Sequence, residues 1–368
     1  MKKLIRKIVF ILNALAAIAL ILAYFSPYIS PNTFWPLAFF GLATPYLLII
    51  NLLFLLFWAF LGNSRFVLSL LVLILGYQTI PSYLQLKIDK NKVAESELKV
   101  MSFNVRVFDL YMWSKEKTTR NKIFDFIKKE DPDVLCLQEF FHTENNKKYS
   151  FKTLDTLVQF LSAKNFHAHY TLTLRKTDNW GVITFSKYPI VNKGVVPFQE
   201  ESDNVCIYTD IKKGEDTIRV YNAHLASIKL DKHDYKAMQE VNKNDYSKDF
   251  SQEINMLSKV KNGFLKRANQ ADSIQKNIEK SPYPIIFCGD FNDTPSSYVY
   301  QTIKGKNKDA FLESGGGLGR TYIGDFPSFR IDYILYNKNF KSRNYTTHDV
   351  KLSDHHPISA IIQLERTD

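Results

Sequence analysis

Residues Ile285–Asn292 read IIFCGDFN. Four apolar residues closed by a glycine read as a buried strand, and Gly289 permits a tight turn at its end. Asp290 and Asn292 therefore stand just past an apolar strand, as a carboxylate and an amide at its exit. Alone, this is an ordinary turn. Outward along the chain the pattern recurs. Lys99–Val107 (KVMSFNVRV) places Asn104 and Arg106 after a strand, and Val134–Glu139 (VLCLQE) ends in Glu139. Tyr221–Leu225 (YNAHL) carries His224 at its end, and Ser353–Pro357 (SDHHP) sets Asp354 and His355 before the last strand. Arg330–Tyr336 (RIDYILY) embeds Asp332 in an apolar run, where a carboxylate requires a partner. His356 reads as a supporting or surface residue. A single polar residue at a strand end is more often a cap or turn residue; so many in one chain point to one chemistry.

The elements between these motifs fit a layered α/β domain. Strand-like runs cover Leu98–Phe103, Val134–Leu137, Gly181–Phe185, Cys206–Ile211, Ile218–Ala223, Ile285–Cys288, Ile331–Tyr336 and Ile358–Leu364. Helical patterns cover Arg120–Glu130, Phe151–Ser162 and much of Ser251–Glu279. Cys136, Cys206 and Cys288 each lie in an apolar run and read as buried free thiols.

The polar inventory suits metal-assisted hydrolysis of a phosphate ester. Hard donors such as Glu139, Asn104 and Asp354 favour Mg²⁺ or Mn²⁺, and no Cys/His cluster has zinc spacing. Such chemistry needs an aligned water, a base and neutralisation of developing charge, and two histidines with two further aspartates supply the protein's share. Gly315–Gly319 (GGGLG) lacks the Lys-Ser/Thr ending of a phosphate loop and reads as a turn.

Taken in order, SFNVR, LQE, GVITFSKYPI, NAHL, GDFN, RIDYIL and SDHHP resemble the endonuclease/exonuclease/phosphatase superfamily, over about Leu98–Leu364. That family includes DNase I-like nucleases, abasic-site endonucleases, inositol-phosphate phosphatases and sphingomyelinases. The resemblance implies a four-layer α/β sandwich of two mixed sheets flanked by helices, with the active site at one edge. It implies that Glu139 is the principal metal ligand, assisted by Asn104, with Asp354 nearby. Asp290 would align or deprotonate the attacking water, with Asn292 orienting it. His355 would contact the phosphate, supported by Asp332, and His224 would bind a phosphoryl oxygen or protonate the leaving oxygen. DNase I-like members pair this first histidine with a glutamate; Thr171–Trp180 contains none, and Asp178 is the candidate substitute.

The first 86 residues are of another kind. The chain carries a net charge of +11, and five of its basic residues, Lys2, Lys3, Arg6, Lys7 and Arg65, fall in this segment with no acid. Apolar runs at 8–25, 35–60 and 66–86 each reach or approach the ~20 residues that cross a bilayer. A cleavable signal peptide would explain the first run, but not the two that follow. Three transmembrane helices, a linker at 87–97 and a catalytic domain at 98–368 are the expected organisation. The basic residues place the amino terminus and Arg65 in the cytoplasm, and an odd number of spans then puts the catalytic domain on the exocytoplasmic, periplasmic side. Charges in 225–280 are of mixed sign, so no basic stripe marks a duplex-binding surface. The expected function is a membrane-anchored, Mg²⁺-dependent phosphoesterase of nuclease type acting on a phosphate ester, with the lipid bilayer as the partner of its helices. A head-group phosphodiesterase acting on phospholipid or sphingomyelin, and an inactive membrane-tethered binding module, are the alternatives.

Overall fold

The central strands are apolar on both faces because both faces are covered. The computed structural model describes residues 2–86, 97–144, 152–161, 165–199, 203–228, 251–324 and 329–364. The expected linker therefore lies outside the described residues apart from Glu97, as do 229–250 of the charge-mixed stretch.

One sheet has the order β11-β12-β1-β2-β4-β3, built from β1 (Glu97–Asn104), β2 (Val134–Thr143), β3 (Asn165–Leu174), β4 (Asp178–Ser186), β11 (Lys341–Thr347) and β12 (Ile358–Gln363). The second has the order β5-β6-β7-β8-β10-β9, from β5 (Ile190–Val195), β6 (Val205–Lys213), β7 (Asp216–His224), β8 (Ile285–Asp290), β9 (Lys308–Asp309) and β10 (Asp332–Tyr336). Side chains alternate between faces along each strand. Leu98, Val100, Val134 and Cys136 meet Ile218, Val220, Ile286, Cys288 and Ile334 between the sheets. Met101, Phe103, Leu135 and Leu137 point the other way, under α5 (Thr119–Glu130) and α6 (Thr153–Leu161). On the far side, Tyr221, Ala223, Phe287 and Tyr333 pack beneath α7 (Ser251–Glu279) and α8 (Tyr298–Lys304). This is the expected four-layer sandwich. A short helix, α9 (Ala310–Ser314), follows β9.

Among the described residues each sheet holds one parallel pair, β1 with β2 and β7 with β8. Parallel neighbours need a crossover, here through α5 and α7, and open α/β sheets bind ligands beyond the carboxyl ends of such strands. Asn104 closes β1, His224 closes β7 and Asp290 closes β8, with His224 and Asp290 opposite each other in register. The two sheets are also bonded through their buried middle. Gln138 Nε2 donates to Asn222 Oδ1 at 2.7 Å, and Asn222 Nδ2 donates to the Ile183 carbonyl at 2.9 Å.

The amino-terminal segment forms α1 (Lys2–Phe25), the single turn α2 (Pro31–Phe34), α3 (Pro36–Phe60) and α4 (Phe66–Leu75). Lys3–Tyr28 and Pro36–Phe60 are long and apolar enough to cross a membrane by length and composition. The third run departs from the single span expected at 66–86. Its α-helix stops at Leu75, a rise of about 15 Å, and a 3-10 turn occupies Tyr77–Ser82. Gly76 lies against the Tyr24 ring, where a Cβ would collide, and Pro81 lacks the N–H to continue an α-helix. The group is inside-out relative to a soluble bundle. Asn13 donates to Ser69 Oγ at 2.7 Å and accepts from Trp58 Nε1 at 3.1 Å, while Leu15, Leu53, Leu56 and Leu71 face outward.

Its two ends have different partners. Arg65 donates to the Arg6 carbonyl and covers Phe10 and Trp58 at one end. At the other, Phe39 meets Phe264 edge-on at 5.1 Å, Asn32 Nδ2 donates to Asn269 Oδ1 at 2.7 Å, and Tyr83 donates to Ser296 Oγ at 2.8 Å. Gln85 and Gly317 pair as an isolated bridge. Gly41 is confined between Ser26 and the Ser296 carbonyl, with no room for a Cβ.

Candidate active site

Glu139 lies in the middle of β2, and a bulge turns it toward the site. The β2–β4 register shifts between Leu137 and Phe140, and Glu139 has φ 49°. An extra residue in one strand re-aims its side chain and bends the ladder. Asn292 likewise has φ 51°, immediately after the strand end at Asp290. Positive φ at non-glycine residues costs about 1–3 kcal/mol each and tends to cluster at functional sites.

These turns converge on one carboxylate. Asp290 Oδ1 accepts the Asn292 backbone N–H at 2.8 Å. Its other oxygen, Oδ2, accepts from Asn104 Nδ2 at 3.0 Å and lies 3.7 Å from His355 Nε2 and 3.8 Å from His224 Nε2. The same Asn104 amide donates to Glu139 Oε1 at 3.1 Å, so it bridges the two carboxylates. Asn104 Oδ1 accepts the Arg106 N–H at 3.1 Å. Burial raises the proton affinity of Asp290; Asp332 raises it further, and the two histidines oppose this.

Asp332 has the partner that its position demands. Its Oδ2 is 2.9 Å from His355 Nδ1, and both side chains are buried. Burial by itself would lower the His355 pKa, but the Asp332 and Asp290 carboxylates outweigh it and push the imidazole up to about 10. His355 therefore holds a proton at neutral pH, fixed by Asp332 and directed at Asp290. Asp290, Asp332 and His355 bring possible ligand atoms within 4.8 Å of one another, so the group could hold a metal. The Asp332–His355 bond at 2.9 Å commits Nδ1 and one carboxylate oxygen to each other.

The remaining expected residues surround this group. His224 Nε2 is buried with no hydrogen-bond partner among the described residues, 3.7 Å from Glu139 Oε1. Asn292 Nδ2 donates to the Leu225 carbonyl, fixing its amide. Asp354 pairs with Arg106 Nε at 3.2 Å and accepts from Ser353. Asp178 is not brought to His224: it accepts from Thr143 Oγ1 at 2.7 Å and pairs with Arg175. Among the described residues, the carboxylates within 4 Å of His224 are Glu139 and Asp290.

A divalent cation fits this donor set. Glu139 is a partly exposed carboxylate 3.7 Å from His224 Nε2, and Asp354, next to His355 in sequence, is a second hard carboxylate, whereas Asn104 turns its Nδ2 to Glu139 and its Oδ1 to the Arg106 N–H. Three participants carried no functional assignment from sequence. Arg106 appears only as a neighbour of Asn104; it begins a left-handed turn, Arg106–Asp109 with φ 44–58°, and its guanidinium lies 4.2 Å from the Trp113 ring. Ser353 Oγ donates to the Asn104 carbonyl at 2.8 Å, tying SDHHP to the end of β1. Tyr322 meets His355 edge-on at 5.2 Å, from a loop with no distinguishing pattern.

The sequence of residues 101–355 matches the Endonuclease/Exonuclease/phosphatase family. The chain belongs to the endonuclease/exonuclease/phosphatase family. Residues 6–83 match a separate family described as a domain of unknown function. A DNA-(apurinic or apyrimidinic site) endonuclease of Dictyostelium discoideum is 23% identical over 312 residues, 75% of this chain and 74% of the relative. Protein angel of Drosophila melanogaster is 23% identical over 288 residues, 68% of this chain and 70% of the relative. Among solved structures, a humanized D. rerio TDP2 (14% identity, TM-score 0.52) covers 73% of this chain and 100% of its own. An endonuclease/exonuclease/phosphatase from Bacteroides vulgatus (16% identity, TM-score 0.52) covers 73% of this chain and 99% of its own. At these identities the structural likeness speaks for the family fold, which both sheets display.

Proposed function

We propose that this family member is a bilayer-anchored, divalent-metal-dependent phosphoesterase of nuclease type that cuts phosphodiester bonds. One observation carries the reading: the Asn104 amide, His355 and His224 all approach the same Asp290 oxygen. Asp290, buried and proton-hungry, takes the proton of an attacking water. His355, kept protonated by Asp332, donates to a phosphate oxygen, and His224 is free to bind a phosphoryl oxygen or protonate the leaving one. Asn292 holds Asp290 through its backbone N–H and its own amide through Leu225. Glu139, Asn104 and Asp354 would hold Mg²⁺ or Mn²⁺, which when bound neutralises phosphate charge and acidifies water. The Dictyostelium relative, named as a DNA endonuclease, supports nucleic acid as substrate.

A second reading, a lipid head-group phosphodiester, is favoured by the packing of Phe329, three residues before Asp332, against Tyr46 of α3. Anchoring rests on the two long apolar helices and their outward leucines. The basic amino terminus and Arg65 lie together at one end of the helices and the Tyr83–Ser296 contact at the other, which with the positive-inside rule supports an exocytoplasmic catalytic domain.

The full chain in nanodiscs is assayed on plasmid DNA, RNA, phosphatidylcholine, sphingomyelin and a chromogenic phosphodiester, with Mg²⁺, Mn²⁺ or EDTA. Metal-dependent turnover that falls by roughly 10²-fold or more in Asp290→Ala and His355→Ala is expected. Turnover that persists in both variants, or in EDTA, refutes the proposed site.

A further inference from the structure

Two short stretches connect the catalytic pair to the rest of the molecule. Thr321 Oγ1 accepts the backbone N–H groups of Ile331 at 3.0 Å and Asp332 at 3.1 Å. The N–H groups of Thr321 and Tyr322 both donate to the Phe329 carbonyl at 3.0 Å. Across the site, His356 N–H donates to the Thr321 carbonyl at 2.7 Å and Ile323 N–H to the Asp354 carbonyl at 2.8 Å. Tyr322 lies edge-on to the His355 ring. Thr321–Ile323 and Phe329–Asp332 thus fix the backbone that carries both members of the Asp332–His355 pair.

The amino-terminal helices hold the other side of these stretches. The Phe329 ring packs at 84° to Tyr46 of α3, with centroids 6.3 Å apart. Next to it, the fully buried Arg330 pairs with Asp309 at 2.7 Å and donates from Nε to the Ser82 carbonyl at 3.1 Å. Ser82 ends the 3-10 turn that follows α4. A buried guanidinium N–H that loses its acceptor is costly, so this turn is part of the domain's polar bookkeeping and not a loose leader. An anchor serving only to localise the domain would need none of these contacts.

We infer that the amino-terminal helices position the catalytic pair: Tyr46 and Ser82, acting through Phe329 and Arg330, set the placement of Asp332 and His355. Tyr46, Phe329 and Arg330 are positioning residues; they touch no reacting atom. The inference rests on the phosphoesterase reading of the Asp290 site. Small misplacements of catalytic groups reduce the chemical step more than binding, so the helices act on kcat.

The test uses the full chain in nanodiscs, with Tyr46→Ala, Tyr46→Phe and, as an outward-facing control on the same helix, Ile49→Ala. Tyr46→Ala is expected to lower kcat by roughly ten-fold with KM within about two-fold, Tyr46→Phe to restore it, and Ile49→Ala to match the wild type. Hydrogen exchange without substrate gives a readout independent of turnover. Exchange in Tyr46→Ala should accelerate at Tyr322, Ile331 and Asp332 while Phe287, in the central strand β8, keeps its wild-type rate. Wild-type exchange at those amides overturns the inference even if no substrate is turned over. Accelerated exchange with unchanged kcat overturns it too. Absence of turnover alongside the expected exchange pattern would instead count against the phosphoesterase reading. Should Tyr46→Ala not accumulate as folded protein, Phe329→Leu makes the same measurements from the other side of the contact.

Discussion

Asp332 and His355 are 23 residues apart in sequence and 2.9 Å apart at Oδ2 and Nδ1, both closed off from solvent. The carboxylate fixes which ring nitrogen faces Asp290 and stabilises the imidazolium. Asp332→Asn keeps the shape but removes the charge and presents an amide to Nδ1. In catalytic Asp–His pairs such a change costs up to ~10⁴ in kcat. A fall of at least about 10²-fold in steady-state kcat, with an unaltered circular dichroism spectrum, is the expected outcome.

Glu139 and Asp290 share the Asn104 amide but should separate kinetically. Glu139→Gln is expected to raise the metal concentration for half-maximal activity by roughly ten-fold or more. Asp290→Asn is expected to depress turnover even at saturating metal. Titrating Mg²⁺ into EDTA-stripped protein distinguishes the two.

The Gln138–Asn222 bond joins the sheets where no water reaches. Asn222→Leu leaves the Gln138 amide its longer bond to Ser102 Oγ at 3.1 Å and takes the Asn222 donor from the Ile183 carbonyl, and buried polar groups left unpaired cost about 1–3 kcal/mol each. Denaturant unfolding should show a loss of about 2–4 kcal/mol. The double variant with Gln138→Leu should lose less than the sum of the single changes.

His167 gives a pH signature unrelated to catalysis. Burial pulls its pKa from 6.5 down to about 4, with Lys193 and His169 adding to the effect, and Nδ1 lies 2.9 Å from Thr209 Oγ1. The unfolded chain takes up this proton first as pH falls. The corresponding stability is complete above pH 6.5 and is lost progressively down to about 4. Thermal midpoints measured at pH 7.5 and pH 5 should differ, and His167→Gln should narrow the gap.

Arg330 and Asp309 form a buried pair, with Tyr300 donating to the same Asp309 oxygen at 2.7 Å. Arg330→Met leaves that carboxylate uncompensated, and breaking such a pair typically costs about 3–5 kcal/mol. Arg330→Met with Asp309→Asn should recover part of the loss in the same unfolding assay.

The strands legible in sequence are the interior ones. β1, β2, β4, β6, β7, β8, β10 and β12 present continuous apolar runs because neighbours cover both their faces and edges. β3, β5, β9 and β11 escape sequence reading, and each is a sheet edge. An edge strand keeps polar residues such as Asn192, Lys193 and Asn344, which blunt the run. The site residues were readable for a related reason: a polar side chain at the end of a buried strand stands out against its background. Arg106 stood out after β1 but without a role, and Tyr322 did not stand out, because it lies in a loop where aromatic residues are ordinary. Nor does composition reveal the bulge that turns Glu139 or the early end of α4, which depends on Tyr24 packing at Gly76.

The contacts of Asn32, Gly41, Tyr83 and Gln85 with the catalytic domain all come from residues that precede position 87. A free ten-residue tether would give a domain an r.m.s. reach of about 15–20 Å. A domain already gripped ahead of its tether has a fixed stand-off and tilt, like a tool clamped in a chuck. Its chemistry sweeps a surface instead of a volume. Under the proposed anchoring, what it cuts would be selected by height above the helices as well as by affinity.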